Sequence, residues 1–171
     1  MRDVATLTTS RFALRPLRAG DEVALFPTLS NPAQCRYLSR PAFESGAELW
    51  DWLAAPDWPG LTWIAEDDGG VAARFVAVPA HEDGVFEIGY ITCIHRQREG
   101  IAREGVGALV EHLFDKGARK LTAEVDSENT ASIALLERLG FTREAHLREH
   151  ETTHEGLCDV LLYGLLASDR R

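Results

Sequence analysis

The stretch Glu87–Gly107, EIGYITCIHRQREGIAREGVG, decides how the rest of the chain is arranged. Phe86-Glu87-Ile88-Gly89-Tyr90-Ile91 alternates and reads as a strand. It breaks into a basic loop, His95-Arg96-Gln97-Arg98, and then into a glycine-punctuated helix start at Gly100-Ile101-Ala102. A strand that ends in a glycine-containing turn and feeds a helix offers unpaired backbone N–H groups and a positive dipole end to an anion. Arg96, Arg98 and Arg103 stand against Glu99 alone before Glu104. This positive island in an acidic chain points to an anionic ligand, although on charge alone it also reads as an ordinary solvated loop.

Upstream, Ala5–Leu17 carries β-formers and reads as one strand ending at Pro16. Asp21 is the expected N-cap of a short helix through Leu25 and Phe26, which Pro27 limits or kinks. Ser30-Asn31-Pro32 closes that region as a turn, and Ser45–Glu48 forms a capping box ahead of a helix that ends before Pro56. Leu61–Glu66, Val71–Val78 and Val85–Cys93 form an antiparallel meander, with turns at Asp67–Gly70 and His81–Gly84. Downstream, a helix runs to about Lys116 and stops at Gly117. The next strand, Arg119–Asp126, is reached by a helical crossover and is therefore expected to lie parallel to Val85–Cys93. Ser127-Glu128-Asn129 opens a further helix, stopped by Gly140, and two strands follow at about Thr142–Glu151 and Leu157–Leu166. The order predicts an α+β (mixed α/β) single domain over residues 1–171, its twisted sheet mostly antiparallel with one parallel pair and flanked by helices.

Composition narrows the function classes. With 171 residues, 45% of them hydrophobic, the chain can bury a sizeable core. No apolar stretch is long enough to span a bilayer, and MRDVATLTTSR lacks a signal-peptide core, so a soluble cytoplasmic protein is expected. Cys35, Cys93 and Cys158 are far apart and odd in number, which argues for free thiols. A net charge of −9 disfavours nucleic acid and anionic membrane as partners and suits a cationic substrate such as an amine. His146, His150 and His154 recur every four residues, but in a strand each step spans about 13 Å, too far for a shared metal.

Gln97-Arg98-Glu99-Gly100-Ile101-Ala102 fits Q/R-x-x-G-x-G/A, and Asn129-Thr130-Ala131-Ser132 followed by Leu139-Gly140-Phe141 fits N-x-x-S/A with a later L-G-F. In that order and with that gap, the two segments resemble the acyl-CoA signatures of the GNAT N-acetyltransferase superfamily. Arg11–Leu17, Glu87–Tyr90 and Asp159–Tyr163 are similar to the R-x-x-L-R-P-L, E-I-G-Y and D-V-x-x-Y strands of its ribosomal-protein N-terminal (Rim-type) branch. The resemblance is best from Glu87 to Tyr163 and poor from Pro41 to His81. It implies acetyl-CoA as cosubstrate, held by Ile91, Cys93, Gln97, Arg98, Glu99, Gly100, Ile101, Ala102, Arg103, Asn129 and Ser132, with no metal. One departure is Arg98, where the family loop often carries a further glycine.

The implied chemistry is direct attack of an amine on the thioester. An α-amine, with pKa about 8, sheds its proton more readily than a lysine at about 10.4. By resemblance Glu151 is the base, acting through water, and Ser132 the acid that protonates the thiolate. The bland readings are a surface carboxylate for Glu151 and a helix-cap hydroxyl for Ser132. Asn129 corresponds to the residue that bonds the pantetheine arm, or is simply an N-cap. Some members place a tyrosine at the position of Leu136, so that acid is absent here. A backbone N–H around Cys93-Ile94 is the expected oxyanion donor, and Cys93 itself reads as structural. The acceptor is a protein N-terminus or a small-molecule amine, and the family's habit suggests a homodimer. A CoA-binding sensor or interaction module without turnover is the alternative.

Overall fold

The computed structural model describes residues 4–170. The expected first strand is two: β1 (Leu7–Thr8) and β2 (Ala13–Pro16) pair antiparallel. The reason is the Thr9 hydroxyl, which accepts from the Phe12 N–H at 2.9 Å and folds the chain back on itself. Next come α1 (Asp21–Leu29), α2 (Pro32–Cys35) and α3 (Gly46–Leu53). Asp21 does not cap α1. That position is Gly20, at φ 100°, and the Asp21 carboxylate turns inward to take both Nη atoms of Arg15 at 2.8 Å. Nor does Pro27 end α1. It strands only the carbonyl four residues back, on Val23, and Val23 is 71% exposed, so water can satisfy it. Asn31 caps α2 and Ser45 caps α3 through side-chain acceptors.

The meander is present as β3 (Leu61–Asp67), β4 (Gly70–Pro79) and β5 (Val85–Thr92). The long helix α4 (Ile101–Asp115) crosses to β6 (Lys120–Asp126), which pairs parallel to β5. Finally α5 (Thr130–Arg138) leads to β7 (Thr142–Thr153) and β8 (Gly156–Leu166). One sheet results, ordered β1-β2-β3-β4-β5-β6-β8-β7, antiparallel except for β5 and β6.

Two apolar layers cover it. On one face α4 and α5 pack over Phe75, Ile88, Leu121, Ala123, Leu161 and Tyr163. The glycine at Gly105 is required there, because any Cβ would run into the Phe75 ring. On the other face α1 and α3 pack over Ile64, Cys93 and Ile91. This second layer stops short of β6, β7 and β8. Since side chains alternate along a strand, Glu87, Glu124 and Glu151 project from the face that it leaves open.

Candidate active site

The pairing of β5 with β6 ends at Glu87–Thr122. Beyond that point β5 stays with β4 as far as Thr92, while β6 stays with β8 as far as Asp126. The two strands diverge and leave a gap in the middle of the sheet. The Cys93 N–H donates to Ala72 O at 2.9 Å. In an antiparallel ladder the bonding positions alternate, so the N–H and C=O of Thr92 and Tyr90 and the C=O of Ile88 face away from β4, into the gap, while the Ile88 N–H points to Thr122 across the last β5–β6 pair. This bears on the expected oxyanion donor. The Cys93 N–H is used by Ala72 and the Ile94 N–H by the Thr28 hydroxyl at 2.8 Å, so neither is free; Thr92 offers the nearest unpaired one. Ile91 likewise turns its main chain toward β4. The Cys93 thiol is fully buried and burial pushes its pKa to about 11, which suits a structural role.

Past the end of β5 the chain makes a short turn, Ile94–Arg96, and then enters the loop. From Gln97 to Arg103 no backbone N–H donates to an acceptor among the described residues; the next to do so is that of Glu104, to Gly100 O at 3.1 Å. Gly100 caps α4 at φ 78° without a side-chain bond, so the helix N-terminus is open. Arg98 adopts φ 69°, the left-handed region that favours glycine, which explains why glycine suits that position. Ile101, fully buried, anchors this end of the helix, and the Gln97 amide donates to Gln34 on α2 at 2.6 Å.

The loop's charge is divided. Arg96 is committed to Asp67, at 2.7 and 3.1 Å, and to Glu99 at 3.0 Å, so it ties the loop to the β3–β4 turn. Arg98 and Arg103 make no ion pair among the described residues. A third cation comes from the β1–β2 turn. Arg11 donates to Glu99 O at 3.0 Å and to Glu104 at 2.7 Å, and with Arg103, Gly100 and Gly107 it lines a cavity of about 430 Å³ at the start of α4. Burial alone would raise the Glu104 carboxyl. The hydroxyls of Thr9 and Ser10 and two groups of Arg11 outweigh it and hold the carboxyl at about 2.

On the α5 side of the gap, Asn129 caps the helix by accepting from the Ser132 N–H at 3.2 Å, which leaves its amide N–H₂ free to donate. The Tyr90 hydroxyl is buried without a hydrogen-bond partner of normal geometry. Burial raises its pKa and the nearby Ser132 hydroxyl lowers it in part, so it stays a proton carrier at neutral pH. Sequence reasoning missed Tyr90. The alternation that buries Ile88 under α4 and α5 puts Tyr90 on the same face, and that was the available signal.

On the open face, Glu151 sits opposite Cys158 after an irregularity in β7 between Leu147 and Glu151. Asp159 holds this bulge: it accepts from the Glu149 N–H at 2.8 Å and from His146 at 2.7 Å, and both contacts lower its pKa. Glu149 there has φ 50°. Glu87 has its pKa raised, first by burial and then by the charges of Glu124 and Glu151. Three carboxylates from three strands thus share one face, with Ser132 and Tyr90 on the other. A group held in the gap would meet acceptors of protons on one side and donors on the other. Among the described residues no group of three or more His, Cys, Asp or Glu could hold a metal ion, and no helix is long and apolar enough to cross a membrane.

The profile of the acetyltransferase (GNAT) domain family matches residues 11–142. A Bacillus licheniformis protein described as the uncharacterized N-acetyltransferase p20 is 28% identical over 170 residues, 94% of this chain and 96% of that one. The ribosomal protein bS18-alanine N-acetyltransferase of Escherichia coli K12 is 38% identical over 73 residues, 40% of this chain and 47% of that one. Among solved structures, spermidine N-acetyltransferase from Vibrio cholerae, in complex with CoA and spermine, superposes with a TM-score of 0.80 at 22% identity, covering 94% of this chain and 98% of that one.

Proposed function

The chain belongs to the acetyltransferase (GNAT) domain family, and from that premise we propose that it transfers an acetyl group from acetyl-CoA to an amine by direct attack on the thioester. The observation that carries this reading is the run of free N–H groups from Gln97 to Arg103 beside a gap lined by Ile88, Tyr90 and Thr92. The run suits the pyrophosphate, with Arg98, Arg11 and Arg103 adding charge. The gap suits the pantetheine arm, which would take the place of the missing β6 neighbour, with the free Asn129 amide as a further donor.

In this reading the thioester lies at the level of Thr92. The amine arrives from the carboxylate face and passes a proton, through water, to Glu151. Its lone pair forms the C–N bond, and the carbonyl electron pair moves to an oxygen held by the Thr92 N–H. Collapse breaks the C–S bond, the thiolate takes a proton from Ser132, with Tyr90 as the neighbouring hydroxyl, and water returns to Ser132 the proton that Glu151 had taken from the amine. Acceptors with a protein α-amine fit the Rim-type branch, and the partial likeness to the bS18 alanine enzyme supports it. A soluble cytoplasmic protein with one domain over residues 1–171 fits the same reading.

The test is CoA release from acetyl-CoA over a panel of N-terminal peptides, polyamines and aminoglycosides. Turnover with at least one acceptor is expected. Tight CoA binding with no release on any of them would favour a sensor without turnover.

A further inference from the structure

Arg74, on β4 opposite Ile91, is 8% exposed, and its side chain makes no hydrogen bond or ion pair with any described residue. Its Nε is buried without a partner, and its guanidinium lies 4.7 Å from the ring centroid of Trp52 and 6.0 Å from that of Trp58. Burial draws its pKa down to about 10, with no neighbouring charge to hold it up. Two more buried polar atoms nearby have no partner: Trp58 Nε1, and Oγ1 of Thr62, which shares this face with Arg74. A buried cation left uncompensated is costly, and stacking on indole offsets only part of that cost. Arg15 shows how this chain satisfies a buried guanidinium. It is 9% exposed and fully engaged by Asp21 and Glu66.

Arginine N–H and indole N–H can only donate, and a hydroxyl can turn to donate, so together these groups call for an acceptor-only ligand. A planar carboxylate matches the fork of a guanidinium that lies beside two indole rings. The carboxylates across the face at Glu87, Glu124 and Glu151 weigh against a dianionic phosphate. We propose that Arg74, Trp58 and Thr62 form a subsite for a carboxylate on the acceptor, so that the acceptor is an amino acid or peptide rather than a polyamine. This rests on the acetyltransferase reading above. The amine sits toward Glu151 and the carboxylate one strand beyond β5, on β4.

Two measurements test it. The first compares acceptors that differ only in the anion: an amino acid with its carboxamide, and a peptide with Glu in the second position with its Gln counterpart, spermidine serving as an amine without an anion. A carboxylate should raise kcat/KM at least tenfold through KM. Arg74→Gln should erase the preference and Arg74→Lys keep part of it, with CoA affinity unchanged. The amino acid pair and the peptide pair distinguish a main-chain carboxylate from an acidic side chain. The second follows the side-chain N–H resonances of Trp58 and Arg74 in the CoA-loaded protein on adding N-acetylglycine or the N-acetylated Glu peptide amide, with the carboxamide and Gln forms as controls. A shift with either acid alone is expected. No shift with either acid, or equal turnover of both members of each pair, would overturn the subsite. Failure of CoA itself to bind would instead overturn the acetyltransferase reading.

Discussion

The two sides of the gap treat a glutamate in opposite ways. Beside the loop, Glu104 is held at about 2 by Thr9, Ser10 and Arg11. On the open face, Glu87 is raised by burial and by two neighbouring carboxylates. The first is a structural anion whose charge docks the β1–β2 hairpin and so brings Arg11 to the open start of α4. The second belongs to a cluster whose charges repel one another and await a cation. The difference separates a side that is already assembled, and presents backbone donors, from a side that ligand completes.

The largest expected effect breaks the assembled side. Gly100→Val forces a branched side chain into φ 78° at the open helix start, and CoA affinity measured by calorimetry should fall at least a hundredfold. Unchanged affinity would remove the cradle. Next comes Glu151→Gln on the other side: kcat/KM should fall about a hundredfold or more, with CoA affinity preserved, because only the base is removed. A variant with wild-type turnover would take Glu151 out of the mechanism.

A smaller effect tests the glutamate contrast itself. A carboxyl depressed in the folded state contributes stability above its unfolded pKa of about 4.3 and loses it as pH falls toward the folded value. Glu104 should therefore contribute on the order of 2 kcal/mol at neutral pH, lost between about pH 4.5 and pH 2. Glu87 has the opposite sign, its penalty at neutral pH relieved by acid. Denaturant unfolding of Glu104→Gln and Glu87→Gln across this range should show the first less stable than wild type at pH 7 and converging on it in acid, and the second no less stable at pH 7. The smallest effect is Arg98→Gly, which relieves a left-handed residue and should stabilise by about 1 kcal/mol while lowering CoA affinity a few-fold through the lost charge.

What was legible follows the same division. The loop and the Asn129 segment were read from sequence because a phosphate cradle is local: strand, glycine turn and helix start lie within a few residues. The parallel pair followed from the crossover. The gap could not be read, since it depends on where pairing between β5 and β6 stops. Arg11, Tyr90 and Glu87 reach the site through long-range pairing or face alternation. Arg96 counts toward the basic island in the sequence, but Asp67 and Glu99 hold it. Pro27 stands near the end of α1, which stops at Leu29, and the carbonyl it strands belongs to the exposed Val23. The Asp159–Tyr163 resemblance has a physical basis that sequence alone did not supply: Asp159 fastens the β7 bulge, and the Tyr163 hydroxyl donates to Glu137 at 3.0 Å, fastening α5.

The most direct test of the account is an amide ¹H–¹⁵N titration with CoA. The free N–H groups from Gln97 to Arg103, together with those of Tyr90 and Thr92, should show the largest shifts, while Ile88, Cys93 and Ile94, whose N–H groups are already bonded within the protein, move less. Saturable CoA binding that leaves the Gln97–Arg103 amides unmoved would contradict it.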